Sequence, residues 1–283
     1  MVVVGVGWHA ALMCGRYAAS KDPDELVEEF EVDVAPEKRL EPDFNVAPTK
    51  HVYAVLERTP KPADDAEAAP STPQRQLRVV RWGLVPSWAK DVSIGNRLVN
   101  ARSETVAEKP SFKRALAKRR CLIPADGYYE WYTPQPIPGV KKKPAKQPFF
   151  LHPADGSTMA MAGLYELWRD PDKNDDDEYA WLWTMTILTT TATDAAGQIH
   201  DRMPMTVDRS QWSDWLDPEV NDLAYAQSLL VPLSQIGLDI YPVSSLVSNV
   251  RNNGAHLLDP APLDDLPAAV SQLTSDGQAS LFD

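Results

Sequence analysis

The stretch Cys121-Leu122-Ile123-Pro124-Ala125-Asp126-Gly127-Tyr128-Tyr129-Glu130-Trp131-Tyr132 is apolar and aromatic enough to form a strand pair or one bent strand. Upstream of it, Pro110–Arg120 reads as a helix. Downstream, Thr133–Gln147 carries Pro and Lys and reads as a loop. Further strands are expected at Val52–Glu57, Leu77–Leu84, Phe149–His152, Met159–Leu167, Trp181–Thr190 and Leu238–Pro242. Helices are expected at Arg209–Leu216 and Asn221–Leu230. Another starts at Asp22-Pro23-Asp24-Glu25, a cap followed by Pro in the first turn, and runs to about Phe30. Strands outnumber helices and do not alternate strictly with them. The fold class is therefore α+β, a single domain with a mainly antiparallel, barrel-like β core and flanking helices. Arg58–Gln74 is rich in Pro, Ala and acid and reads as a surface insertion (residues 58–74), and residues 257–283 read as a disordered tail.

Composition narrows the function classes. The 283 residues suffice for a substantial core, and 43% are hydrophobic, as in ordinary globular proteins. No apolar run reaches membrane-spanning length, so a cytoplasmic protein is expected; nucleoid association and a monomeric state are separate expectations. The two cysteines, Cys14 and Cys121, make no disulfide framework. The five histidines lack metal-ligand spacing, so neither metal nor cofactor is expected. The net charge of −12 argues against a nucleic-acid partner, but its distribution does not. Arg75–Cys121 holds twelve Lys or Arg against three Asp or Glu, and local field governs approach to phosphate. Within this stretch, Lys113, Arg114, Lys118, Arg119 and Arg120 also fit a single solvated helix face.

Cys14 stands in Met13-Cys14-Gly15-Arg16-Tyr17. If translation starts at Met13, or if residues 1–13 are a leader that is removed, Cys14 carries a free α-amine beside its thiol. Such a 1,2-aminothiol attacks an aldehyde twice, first as a Schiff base and then by closing a thiazolidine ring. The same residue suits an amide-cleaving nucleophile. Two other runs hold polar groups in unusual company: Tyr128-Tyr129-Glu130-Trp131 and His200-Asp201-Arg202-Met203-Pro204. Taken singly, such a Glu reads as a strand residue facing water and such a His as structural.

Taken together the runs form an ordered set. It comprises Met13–Tyr17, Asn45-Val46-Ala47-Pro48-Thr49, Arg81-Trp82-Gly83-Leu84-Val85-Pro86-Ser87-Trp88, Asn100-Ala101-Arg102, Cys121–Trp131 and His200–Pro204, with Asn249-Val250-Arg251-Asn252 later. The set resembles the SRAP family (SOS response-associated peptidases, or abasic-site processing proteins) from Cys14 to about Gly254. The resemblance implies a domain that binds single-stranded DNA containing abasic sites and crosslinks to the sugar aldehyde as a thiazolidine through Cys14. It implies that Asn100 orients the terminal residue, that Glu130 is the carboxylate near the amine, and that His200 assists ring opening. It also implies phosphate contacts from Arg16, Arg102 and Arg202, and base wedging or stacking at Pro48 and Trp88. Abasic-site lyase and autopeptidase activities are further expectations. The alternatives are a Cys-nucleophile peptidase or amidase, and a non-catalytic DNA-binding module. Finally, Gln278-Ala279-Ser280-Leu281-Phe282 resembles the Gln-x-x-Leu-Phe peptide that docks on the bacterial sliding clamp, with Gln278 as a polar hook and Leu281 and Phe282 as apolar anchors.

Overall fold

The computed structural model describes residues 14–60, 72–134, 144–174, 176–177, 180–231 and 237–262. The leader, most of the insertion and the clamp-type peptide with Gln278, Leu281 and Phe282 lie outside these described residues. In chain order the elements are β1 (Tyr17–Ala19), α1 (Pro23–Glu29), β2 (Asp43–Val46), β3 (His51–Arg58), β4 (Gln74–Trp82), β5 (Asn100–Arg102), α2 (Pro110–Lys118), β6 (Arg120–Ala125) and β7 (Gly127–Tyr132). Then follow β8 (Gln147–Pro153), β9 (Met159–Arg169), β10 (Trp181–Thr191), α3 (Asp194–Ile199), β11 (Arg202–Pro204), α4 (Trp212–Leu216), α5 (Leu223–Ser228) and β12 (Leu238–Pro242).

The Cys121–Tyr132 stretch is a strand pair whose two halves join different sheets. β6 pairs with β3 and β9, whereas β7 pairs with β1 and β8. The chain crosses between sheets at Asp126, whose N–H donates to Ala18 O (2.8 Å) and whose carboxylate accepts from Ser20 N (2.8 Å). Gly127 follows because nothing larger fits. A Cβ there would lie 2.5 Å from Leu151 O and 2.6 Å from the Phe150 ring.

Antiparallel pairings run from β4 through β3, β6 and β9 to β10, and β10 then pairs parallel with β4. This closes a five-stranded barrel, so the expected mainly antiparallel, barrel-like α+β fold is the one observed. Strand periodicity divides the residues. Val52, Ala54 and Leu56 of β3, Cys121 and Ile123 of β6, and Met185 and Ile187 of β10 share one core with Trp82. The alternate residues Tyr53, Val55, Leu122 and Leu188 face outward, under Leu26 and Phe30 from α1 and its end, Phe112 and Leu116 of α2, and Trp212 and Trp215 of α4. Each such large apolar side chain contributes about 1.5–3 kcal/mol on burial. The inner core runs on into the second sheet, β12-β8-β7-β1-β2, through Tyr17, Tyr128, Phe149 and Leu151. The Tyr17 and Trp82 rings meet at 5.2 Å.

Some expected boundaries move for physical reasons. The strand expected to reach Leu84 stops at Trp82, because Gly83 turns away with φ +117° and packs against the Gly95 backbone. The helix expected at Arg209–Leu216 opens as a 3-10 turn, Arg209–Gln211, before α4. α5 is shorter than expected, starting where Asp222 accepts a hydrogen bond from Tyr225 N. The basic face also divides. Arg119 pairs with Glu166 at 2.8 Å, and Arg120 is buried in β6, donating to the carbonyls of Leu116, Ala117, Trp215, Asp217 and Val220. Arg120 thereby ties α2 and α4 to the barrel, and Arg119, partly exposed, ties the end of α2 to β9.

Gly127→Ala should destabilise the fold by about 1–3 kcal/mol, the usual cost of overpacking, since the clash is with backbone. A urea midpoint equal to that of the parent would show that β7 and β8 can separate at this point.

Candidate active site

Two short strands dock on one end of β10 and bring the candidate residues together. β5 pairs with Ile187–Thr189, and β11 pairs with Thr189–Thr191. Asn100 and Arg202 therefore arrive from opposite sides of the same strand end. Cys14 arrives from the second sheet, three residues before β1, and Glu130 from β7, the neighbour of β1.

Cys14 is buried, 3% exposed, with φ +47°, a left-handed conformation uncommon for a residue with a Cβ. Its backbone N–H donates to Glu130 Oε1 at 2.8 Å. Its thiol points to Arg202 O at 3.7 Å, and its carbonyl accepts from Asn100 Nδ2 at 3.4 Å. Three of the four expected catalytic residues thus meet directly. His200 joins through β11: its Nδ1 lies 3.1 Å from Arg202 N–H and 3.0 Å from Asp201 Oδ1. The first contact suits a neutral ring and the second a protonated one, so the imidazole has a partner in either state.

Burial raises the Glu130 pKa above the usual carboxylate range, although the hydrogen bonds from Cys14 and the charge of His200 pull it back. Burial first, and the Glu130 charge second, push the Cys14 thiol well above its ordinary value. The thiol is therefore protonated near neutral pH.

Two residues that the sequence did not single out belong to this cluster. Glu104 receives the Arg202 guanidinium bidentately at 2.6 and 2.9 Å, while Arg202 also donates to Thr189 O at 2.6 Å. Arg202 is only 8% exposed and is not presented to solvent. The Tyr128 hydroxyl is buried without a hydrogen-bond partner among the described residues, and both Cys14 and Glu130 raise its pKa after burial has done so. Their sequence signals were the place of Glu104 two residues after the Asn100-Ala101-Arg102 run and the two-residue spacing of Tyr128 and Glu130, which places both on one face of β7.

An open groove of about 620 Å³ adjoins the cluster, lined by Gly15, Arg16, Pro48, Lys50, Trp131 and Val250 among others. Arg16 donates to Asn45 Oδ1 (2.6 Å) and Val247 O (2.7 Å) and lies 5.7 Å over the Trp131 ring. Asn45 in turn binds the carbonyls of Asn249 and Asn252, so the late Asn249–Asn252 run braces the groove from below. Thr49, beside Pro48, has φ +77°, a strained conformation for a β-branched residue. Arg102 is exposed, and its side chain has no ion pair or hydrogen bond among the described residues. Trp88 is 60% exposed on the loop after Gly83, where Trp168 Nε1 holds Ala89 O at 2.7 Å. Neither Arg102 nor Trp88 hydrogen-bonds with Cys14 among the described residues. Among the described residues no three His, Cys, Asp or Glu side chains converge as metal ligands.

The family model described as SOS response associated peptidase (SRAP) matches residues 13–250. The chain belongs to the SRAP family. It is similar to the abasic site processing protein YoqW of Bacillus subtilis (strain 168), 37% identical over 248 residues that cover 87% of this chain and 99% of that one. It is also similar to the abasic site processing protein HMCES of Gallus gallus, 31% identical over 250 residues covering 80% and 68% of the two chains. A crystal structure of a protein from Bacteroides thetaiotaomicron, 23% identical, shares the fold with a TM-score of 0.69 over 88% of this SRAP chain and 100% of the other. No helix among the described residues is long and apolar enough to cross a membrane.

The Glu104–Arg202 pair gives this SRAP site an acid-labile support. Hydrogen bonds from Arg202 hold the Glu104 pKa down at about 2. A lowered folded pKa stabilises the fold above the ordinary carboxylate value, and that contribution is lost as pH falls toward about 2. Glu104→Gln should therefore melt below the parent at neutral pH, and the two curves should converge in acid. Because Glu104 is half exposed, the gap should be modest. Parallel melting temperatures across the whole pH range would remove Glu104 from this role.

Proposed function

We propose that this SRAP protein binds single-stranded DNA and captures the aldehyde of an abasic site through Cys14. The observation that supports this best is the buried Glu130 carboxylate facing the Cys14 nitrogen at 2.8 Å, with the thiol on the same residue. The reading requires that nitrogen to be a free amine, with the bond to Met13 absent or broken.

The chemistry then follows in order. The Cys14 amine adds to the aldehyde carbon, forming an N–C bond and a carbinolamine. Loss of water gives an iminium. The thiol adds to the iminium carbon, its proton leaves for a base, and the S–C bond closes the thiazolidine. One water is released and no oxidant is needed. Glu130 accepts and returns protons beside the nitrogen, and His200 serves the sugar hydroxyl as the ring opens. Asn100 fixes the Cys14 carbonyl and hence the direction of the amine. If the ring does not close, the iminium permits β-elimination, the expected lyase activity. In the expected autopeptidase reaction the thiol would attack the Met13 carbonyl, the Met13–Cys14 C–N bond would break as the nitrogen takes a proton, and water would hydrolyse the thioester to release the leader and restore the thiol.

Arg16 and Pro48 border the groove and suit phosphate and base contacts there. Arg102 and Trp88 offer a free guanidinium and an open stacking face nearby, and such stacking contributes about 1–3 kcal/mol per base. Arg202 suits a positioning role, because a phosphate would have to share it with Glu104.

Intact mass after incubation with an abasic oligonucleotide tests the reading. The expected product is protein beginning at Cys14 plus one oligonucleotide minus one water, absent in Cys14→Ala. An equal yield from Cys14→Ala would leave only a non-catalytic module or a different nucleophile. The rate should fall as pH drops through the raised Glu130 pKa, since the ionised form is the base. Glu130→Gln should remove that acid limb and slow the reaction by about 10²–10⁴.

The Gln278-Ala279-Ser280-Leu281-Phe282 tail supports a second, independent contact with the bacterial sliding clamp. A synthetic tail peptide should bind purified clamp, and Leu281→Ala with Phe282→Ala should abolish that binding. No binding by the parent peptide would end this proposal.

A further inference from the structure

Among the described residues, Arg39, Arg75, Arg78, Arg119, Arg202 and Arg209 each ion-pair with Asp or Glu. Two partly buried arginines are built differently, and alike. Arg16 is held by the Asn45 amide oxygen and the Val247 carbonyl. Arg81 is held by the Asn96 amide oxygen at 2.9 Å and the Gly83 carbonyl at 3.4 Å. In both, neutral oxygens orient the guanidinium and no carboxylate ion-pairs with it among the described residues. Burial pulls both pKa values below the usual arginine value.

The surroundings of Arg81 add positive charge. In the β3–β4 ladder Arg81 lies directly opposite His51. Val52 and Val80 face the barrel core, so strand alternation sends His51 and Arg81 together to the outer face. Lys38 stands near enough to act on the imidazole, which burial, Lys38 and Arg81 together bias toward its neutral form. Glu37, next to Lys38, is engaged by Arg78 at 3.3 Å. A neutral imidazole still carries one N–H donor, so an anion held there would meet the Arg81 cation and a ring donor together.

The position is continuous with the groove. Thr49 N–H donates to Trp82 O, and Trp82 N–H donates to Lys50 O, both at 2.9 Å, tying this end of β4 to the Pro48–Lys50 wall. Gly83 then turns the chain toward Trp88. Gly83 and Gly95 approach so closely that a Cβ on either would lie within 2.6 Å of the other's carbonyl oxygen, and this contact carries Asn96 onto Arg81.

We propose that Arg81 and His51 form a further phosphate subsite, which receives the backbone of a single strand between the Pro48–Lys50 groove and Trp88. The assignment rests on the single-strand reading of the groove above.

Equilibrium binding of an undamaged single-stranded oligonucleotide, followed by anisotropy between about 50 and 200 mM salt, tests it without covalent chemistry. Arg81→Gln should weaken binding roughly tenfold and flatten the log–log salt slope by about 0.7, the value of one phosphate on a single strand. Arg81→Lys should keep the slope. His51→Asp should behave like Arg81→Gln by giving Arg81 a carboxylate, and it carries the test if Arg81→Gln does not fold. Arg102→Ala, measured in parallel, separates the two levels of the reading. Parental slopes for Arg81→Gln and His51→Asp with a flattened slope for Arg102→Ala would overturn this subsite alone. Parental slopes for all three would overturn the single-strand reading with it.

Discussion

A carboxylate inside a protein needs donors, and the buried Glu130 faces the Cys14 N–H at 2.8 Å. Much of the local architecture is explained by keeping those two groups opposed. β1 has only three residues and is too short to be held by its own hydrogen bonds. It is fixed because it lies between β2 and β7 and because the Tyr17 ring is buried against Trp82. Glu130 sits on β7, whose other edge is fixed by five consecutive register pairs with β8. The thiol, the nitrogen and the carboxylate therefore have their positions set by core packing rather than by loops.

The other half of the site depends on β10. It closes the barrel against β4 and then carries β5 and β11 on its last turn of ladder. Three-residue strands add little stability of their own, so the side chains must reinforce them. The Arg202 fork does this. It joins β11 to Glu104 beyond β5 and to Thr189 on β10, so the two docked strands move as one piece with the strand between them. The Arg202 guanidinium, expected from the resemblance to contact phosphate, is in this arrangement engaged by Glu104 and Thr189 behind Cys14. The Arg202 carbonyl, not the guanidinium, faces the thiol.

What was legible in the sequence follows from element length. The eleven-residue strands β9 and β10, and β3, β4 and β6, announce themselves by composition, and from them the barrel-like α+β class follows. β1, β2, β5 and β11 have three or four residues, too few for any period, and these pieces carry or border the site. The candidate site residues were named only through the ordered set of runs, because a Glu among aromatics and a His beside Arg, taken singly, read as structural. Their partners were not readable. Glu104 looks like surface acid until Arg202 is seen against it, and Tyr128 looks like core until its unpaired hydroxyl is seen beside Glu130. Counting charge along Arg75–Cys121 overstated what DNA could meet, because Arg75, Arg78 and Arg119 are spent on carboxylates and Arg120 on carbonyls.

The electrostatics also fix an order of events for the proposed reaction. Two anions, a thiolate on Cys14 and an ionised Glu130, would be buried against each other, and burial raises both pKa values to avoid that state. The thiol therefore cannot lead as an anion. The nitrogen, with a carboxylate already facing it, attacks first and becomes an iminium. That cation would change the balance, since a positive charge would then lie next to both the carboxylate and the sulfur. Ionising the thiol then places an anion beside a cation instead of beside another anion, and ring closure follows. On the proposed reading, the burial that keeps the Cys14 thiol protonated would make its sulfur available only after the aldehyde has been captured.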